Sequence, residues 1–206
     1  MNLLKQQKTE RQMKILILIK QLHFATRRHL MAVLDLGGIR NANRILKELQ
    51  PYLNIHTYRK EHVYSLNKAG RLLFGEEGKS FTAHMVAHAM LRNEAWLMMG
   101  CPDDWQIETM IRYKIEDKKK TILPDVKLLD DQGILCAVEI DRAQKMKANE
   151  VKLQKYAELT KYYRERYNGR KPIIYFFTIT SYRCMKLEQL AAKYDAHVIV
   201  QQIMEV

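Results

Sequence analysis

The sequence predicts a mixed α+β / α/β chain of two domains. A helix-rich segment covers residues 1–80, and strands alternate with helices over 81–206. Three observations predict it. Apolar residues recur at helical spacing three times before residue 51, and two β-branched and aromatic runs then flank a charged tripeptide. Past residue 100, apolar runs of strand length alternate with polar helical stretches. With 47% hydrophobic residues and only 8 Gly and 4 Pro, the 206-residue chain can build ordered cores and has too few breakers to be disordered.

In the first segment, Ile15, Leu18, Ile19 and Leu22 fall at i, i+3, i+4 and i+7, and Leu16 and Ile17 widen the stripe. This predicts a helix from Arg11 to Leu22 that is apolar on more than one face, which leaves surface for a homodimer. Thr26 is placed to cap a second helix carrying Leu30, Val33 and Leu34, which Gly37-Gly38 stops. Asn41 is a fitting cap for a third, with Ile45, Leu46 and Leu49 inward and Pro51 ending the element. Leu53 to Tyr58 and His62 to Leu66 then read as a hairpin across Arg59-Lys60-Glu61, and Asn67 caps Lys68 to Phe74. Gly75 to Lys79 is the linker.

Charge singles out this segment. Residues 1–80 hold 15 basic and 6 acidic side chains, whereas residues 81–206 hold 20 and 17. A surplus of that density is rewarded by a polyphosphate partner through counterion release, so double-stranded DNA is the expected ligand. Helix, helix, turn, helix, hairpin is the order of a winged helix-turn-helix, and the stretch from Val63 to Gly70 resembles the wing-to-helix exit of that superfamily. In such a domain the third helix enters the major groove. Asn41, Asn43 and Arg44 would meet base edges there, and Lys47 a phosphate. Arg59 and Lys60 at the wing tip would touch the backbone or minor groove, and Arg27 and Arg28 would position against phosphate.

In the second segment a helix runs from Thr82 to Met99, with His84 and His88 one turn apart. A zincin needs Glu after the first His and Met85 stands there, so zinc is not expected. Trp105 to Tyr113, Ile122 to Leu129 and Ile134 to Ile140 read as strands, with Asp130-Asp131-Gln132-Gly133 turning between the last two. A helix over Lys147 to Tyr167, a strand over Ile173 to Thr180, a helix over Met185 to Tyr194 and a strand over His197 to Gln201 complete the order.

That order resembles the αβββαβ core of the PD-(D/E)XK nuclease-like proteins. Pro124-Asp125 and Glu139-Ile140-Asp141 stand where the motif belongs. In the active superfamily the two acids bind a divalent metal, and a Lys follows the Glu by two residues. Here Asp141 takes the place of that Lys, and Lys152 or Lys155 on the following helix is a substitute cation. Asp125, Glu139 and Asp141 are the candidate ligands for Mg²⁺ or Mn²⁺, and with Lys152 they are the candidate catalytic residues. Alternation puts Glu139 and Asp141 on one face, while Asp125 depends on hairpin register. The opposing reading is a structural remnant in which these acids form charge pairs.

A basic winged helix followed by Pro124-Asp125, Glu139-Ile140-Asp141-Arg142 and a helix with Lys152-Leu153-Gln154-Lys155-Tyr156 resembles the replication-relaxation family of bacterial mobile elements, over nearly the full length. An acid at position 141 fits that family's pattern. Ala143-Gln144 departs from the Gly-Thr common there. The resemblance implies a double-stranded-DNA-binding accessory protein of plasmid replication, relaxation or conjugative transfer, requiring no cofactor, with a relaxase or replication proteins as partners. The alternatives are a metal-dependent nickase or nuclease and a winged-helix transcriptional repressor. Lys14 and Lys20 bracket the most apolar run near the start, so neither a membrane span nor a signal peptide is expected. Three scattered Cys fit a reducing cytoplasm.

Overall fold

The computed structural model describes residues 3–77 and 82–204 and is a mixed α+β structure. The chain divides into two compact units, one ending at Cys101 and one beginning at Pro102. Among the described residues no helix is long and apolar enough to cross a membrane. Lys79, the end of the expected linker, lies outside the described residues, as does the side chain of His84.

The first unit begins with α1 (Leu3–Leu22), β1 (Ala25–Thr26), α2 (Arg27–Val33) and α3 (Ile39–Glu48). A short 3-10 turn (Gln50–Tyr52) leads into β2 (Leu53–Tyr58), β3 (Glu61–Leu66), α4 (Lys68–Leu72) and α5 (Ala83–Met98). Its sheet has the order β1-β3-β2, all antiparallel, with Ala25 opposite Tyr64 and Leu53 opposite Leu66. Ile15, Leu16, Leu18, Ile19 and Leu22 are all buried, so the chain itself covers most of the wide apolar stripe of α1; Met13 and Ile17 stay exposed.

Thr26 caps α2 as the sequence suggests, in a capping box whose returning group is His29. The Thr26 N–H donates to His29 Nδ1 at 3.1 Å. That bond leaves Nε2 to carry the ring proton toward Glu94 Oε1, 3.2 Å away. Asn41 does not cap α3. The helix starts at Ile39 with Gly38 as its cap, and the Asn41 amide instead donates to Leu36 O at 2.9 Å, tying down the preceding loop. The hairpin turn is also shorter than the expected tripeptide. Tyr58 pairs with Glu61, leaving only Arg59 and Lys60 at the tip, with φ of 47° and 67°. Two left-handed residues in succession are what a type I′ hairpin turn requires. Asn67 caps α4 by accepting from Gly70 N at 2.9 Å, and a Cβ at Gly70 would stand 2.3 Å from Tyr52 O, so only glycine fits there.

Helix α5, expected to open the second domain, lies in the first unit. Val86, Ala89 and Met90 pack with Phe24 and Val63, and Arg92 and Asn93 donate to Leu22 O and Phe24 O at 3.1 and 2.5 Å.

The second unit consists of β4 (Gln106–Ile107), β5 (Ile111–Ile115), β6 (Lys118–Ile122), β7 (Val126–Leu129), β8 (Leu135–Asp141), α6 (Met146–Arg166), β9 (Ile173–Thr178), α7 (Ser181–Ala191) and β10 (His197–Gln202). Five strands form one sheet in the order β10-β9-β8-β7-β4, parallel from β8 to β10 and antiparallel at β7 and β4. Two expected strands are divided. Trp105 to Tyr113 breaks between β4 and β5, with Glu108 at φ 48°, and Ile122 to Leu129 breaks at Leu123-Pro124-Asp125, where proline has no N–H to give a ladder. The freed strands β5 and β6 form a separate two-stranded ribbon. Leu135, Ala137, Leu153, Tyr156, Leu159, Ile174 and Phe176 form the core between sheet and helices. This fixes the odd-numbered face of β8 as the one under α6.

Candidate functional site

The sheet and helices of the first unit make a cleft of about 450 Å³ walled by α3 on one side and the β2–β3 hairpin on the other. Arg27, Asn43, Lys47 and Lys60 all line it, so four of the eight expected DNA-contact residues converge although Arg27 and Lys60 are 33 positions apart in sequence. Arg27 Nη1 donates to Asn43 Oδ1 at 2.9 Å, which holds the guanidinium over the first half of α3. Thr26, Gln50, Glu61, His62 and Tyr64 complete the polar wall.

The other four point elsewhere. Arg44 donates to Asn41 Oδ1 at 2.8 Å and to Glu48 Oε1 at 2.6 Å along the exposed side of α3. Lys8, first, and then Arg44 hold the Glu48 carboxyl below its ordinary range. Arg28 donates to Glu94 of α5, which also meets His29. Burial opposes the Glu94 carboxylate, but these two partners hold its pKa low. The Arg59 guanidinium lies 5.6 Å from the centre of the Tyr58 ring. Arg40 was missed by sequence reasoning. It is exposed in the first turn of α3, and its signal is hidden if that helix is begun at Asn41.

In the second unit, Glu139 and Asp141 share the buried face of β8, each 1% exposed. The β7–β8 register, with Val126 opposite Val138, puts Asp125 beside Glu139. Asp125 Oδ2 accepts from Ile140 N at 2.7 Å. Lys152 reaches down from α6 to Glu139 Oε2 at 2.5 Å, and Tyr156, one turn later, donates to Oε1 at 2.6 Å. Burial raises the Glu139 carboxyl to about 7; Lys152 opposes this and the Asp125 charge adds to it. Burial also works against the Lys152 ammonium, yet Glu139, then Asp125 and Asp141, hold its pKa above the ordinary value.

Asp141 belongs to a different arrangement. Arg183 of α7 grips it with Nε and Nη2, both at 2.7 Å, and Nη2 also donates to Gln144 O at 2.6 Å. Asn149 donates to Asp141 Oδ1 at 3.0 Å and Thr178 to Oδ2 at 3.3 Å. This set ties the loop after β8 to α7, β9 and α6. Arg183 escaped the sequence reading because α7 begins at Ser181, capped by Thr180, and not at Met185.

The donors do not fit a divalent ion in this arrangement. Both oxygens of Glu139 and both of Asp141 already accept, one Asp125 oxygen is held by backbone, and among the described residues no group of three His, Cys, Asp or Glu side chains is disposed to hold a metal.

A family model described as replication-relaxation matches residues 16–174, which span most of both units. No curated protein and no solved structure matches the chain.

Proposed function

The chain belongs to the replication-relaxation family, and from that premise we propose that it is a double-stranded-DNA-binding accessory protein of plasmid or mobile-element replication, relaxation or conjugative transfer, without turnover of its own. The observation that carries this reading is the cleft between α3 and the hairpin, where Arg27, Asn43, Lys47 and Lys60 converge in the segment that holds most of the net positive charge. The first unit is then a winged helix-turn-helix: α3 reads the major groove, and the Arg59-Lys60 tip follows the backbone or minor groove. Exposed Arg40, Asn43, Arg44 and Lys47 supply donors and acceptors along one helix.

The second unit is then a PD-(D/E)XK nuclease-like core whose acids hold the fold together. Asp141 and Arg183 fasten a loop, and Glu139 with Lys152 and Tyr156 pins α6 to the sheet. Phosphodiester cleavage needs a group that activates water and one that stabilises the departing oxygen, and here each carboxylate is already committed to a protein donor. A relaxase or replication protein is the partner class, and the exposed Met13 and Ile17 of α1 provide a seam for a homodimer.

The test is fluorescence anisotropy of the full chain with duplex fragments of its own element. Affinity should fall steeply with salt, Lys60→Ala should weaken all sequences alike, and Asn43→Ala should relax base preference by about 1 to 3 kcal/mol at one position. Binding that is absent at low salt, or that ignores both changes, overturns the reading.

A further inference from the structure

The ribbon β5–β6 stands apart from the five-stranded sheet, and its two faces differ sharply. Ile111, Tyr113 and Ile122 are buried against the core, with Ile115 partly buried beside them. The opposite face carries Arg112, Lys114, Lys119 and Thr121, all exposed. The register sets Lys114 directly opposite Lys119, and Arg112 opposite Thr121. Side chains so paired share one face at about 5 Å between Cβ atoms, and like charges there repel. Exposed Asp117 answers Lys114 at 2.7 Å, as a surface pair of little weight. Lys118 and Lys120, opposite Ile115 and Tyr113, belong to the other face, where Lys120 meets Glu158 at 3.2 Å. Residues 111–122 thus hold five basic and two acidic side chains, a surplus equal to that of the whole segment 81–206.

A cross-strand lysine pair does nothing for a ribbon in isolation. It is relieved by a polyanion whose charges are spaced along a line, as phosphates are, and a two-stranded ribbon is narrow enough to follow a groove of B-DNA. We propose that the Arg112, Lys114 and Lys119 face of the β5–β6 ribbon is a second DNA-contact surface, seated on the sugar-phosphate backbone of duplex DNA. It rests on the reading of the chain as a duplex-binding protein, and it assigns DNA contact to the second unit. The contacts are to phosphate, so they add affinity and salt dependence and carry no base preference.

The opposed lysines give this proposal a signature that general loss of fold does not. In the full chain, Lys119→Glu replaces a repulsive pair with an attractive one, so it should raise the melting temperature while weakening duplex binding. The double change Lys114→Gln with Lys119→Gln should make the slope of log K against log salt shallower by about 1.8. Affinity at about 0.1 M salt should fall on the order of tenfold for each phosphate left without its lysine. Anisotropy with one labelled duplex and a thermal melt read both quantities, with Lys47→Ala and Lys60→Ala measured alongside. Ribbon variants that bind with the wild-type slope, while Lys47→Ala and Lys60→Ala bind more weakly, overturn the ribbon and leave the first unit's role standing. The reverse pattern keeps the ribbon and removes the first unit from the interface. A melting temperature that falls in Lys119→Glu shows that the pair is not repulsive and also overturns the proposal.

Discussion

Glu139 ties stability to pH in a way that can be measured. Its carboxyl is 1% exposed, and burial carries it from the ordinary 4.5 to about 7. The folded state therefore holds a proton on this group more tightly than the unfolded chain does. That stabilisation is fully present below pH 4.5 and is lost as pH rises through 7. A change from 4.5 to about 7 corresponds to about 3 kcal/mol. Glu139→Gln removes the ionisation while still accepting from Tyr156, although its amide would face Lys152 and cost stability at every pH. That constant offset does not disturb the comparison. Urea unfolding in a Trp96→Phe background lets buried Trp105 report on the second unit alone. The stability of the parent minus that of Glu139→Gln should fall by about 3 kcal/mol between about pH 4.5 and 8. Parallel curves over that window would refute the reasoning, because they would mean that Lys152 fully compensates Glu139 and keeps it ionised throughout.

Three further expectations follow from the same residues. Arg183→Met leaves Asp141 buried without its main cation, so the second unit should lose about 3 kcal/mol in urea unfolding, with part restored by adding Asp141→Asn. Because both oxygens of Glu139 and of Asp141 already accept from protein donors, Mg²⁺ or Mn²⁺ should leave the melting temperature unmoved and supercoiled plasmid intact. A metal-dependent rise would show that the acids bind the ion, and nicks absent from the Asp125→Asn, Glu139→Gln protein would return the chain to the nickase class. Sedimentation should show a dimer that Ile17→Lys dissociates; a concentration-independent monomer with and without DNA would end that idea.

The elements readable in the sequence were those whose burial is written as a period. The stripes of α1, α3 and α6 and the apolar runs of β8 and β9 lie within a few residues of where spacing puts them, apart from the longer start of α1. Alternation alone put Glu139 and Asp141 on one face. The register that sets Asp125 beside Glu139 was not legible, since it is decided by which residues of two strands meet. The sequence offers Lys152 or Lys155 as a cation without showing its target, and the structure brings Lys152 to Glu139. Arg183 was not legible, because an exposed-looking Ser-Tyr-Arg start gives no hint that the first turn of α7 folds back on β8. Strand β6 was hidden for another reason: three consecutive lysines have poor strand propensity, and the strand is held by its pairing with β5 and by buried Ile122. The start of α3 was misread because Gly38 caps it without a side chain.

The placement of α5 matters to anyone who cuts this protein into pieces. A fragment ending at residue 80, the natural choice from the glycine-rich break, would strip away Val86, Ala89 and Met90 and leave Phe24 and Val63 facing water. It would also remove Arg92 and Asn93 from the carbonyls of Leu22 and Phe24, and Glu94 from the ring of His29, all at the entrance to α2. Such a fragment would aggregate or bind weakly for reasons unrelated to DNA recognition, and a negative result from it would be misread. Cleavage after Cys101 keeps that helix with the unit it completes.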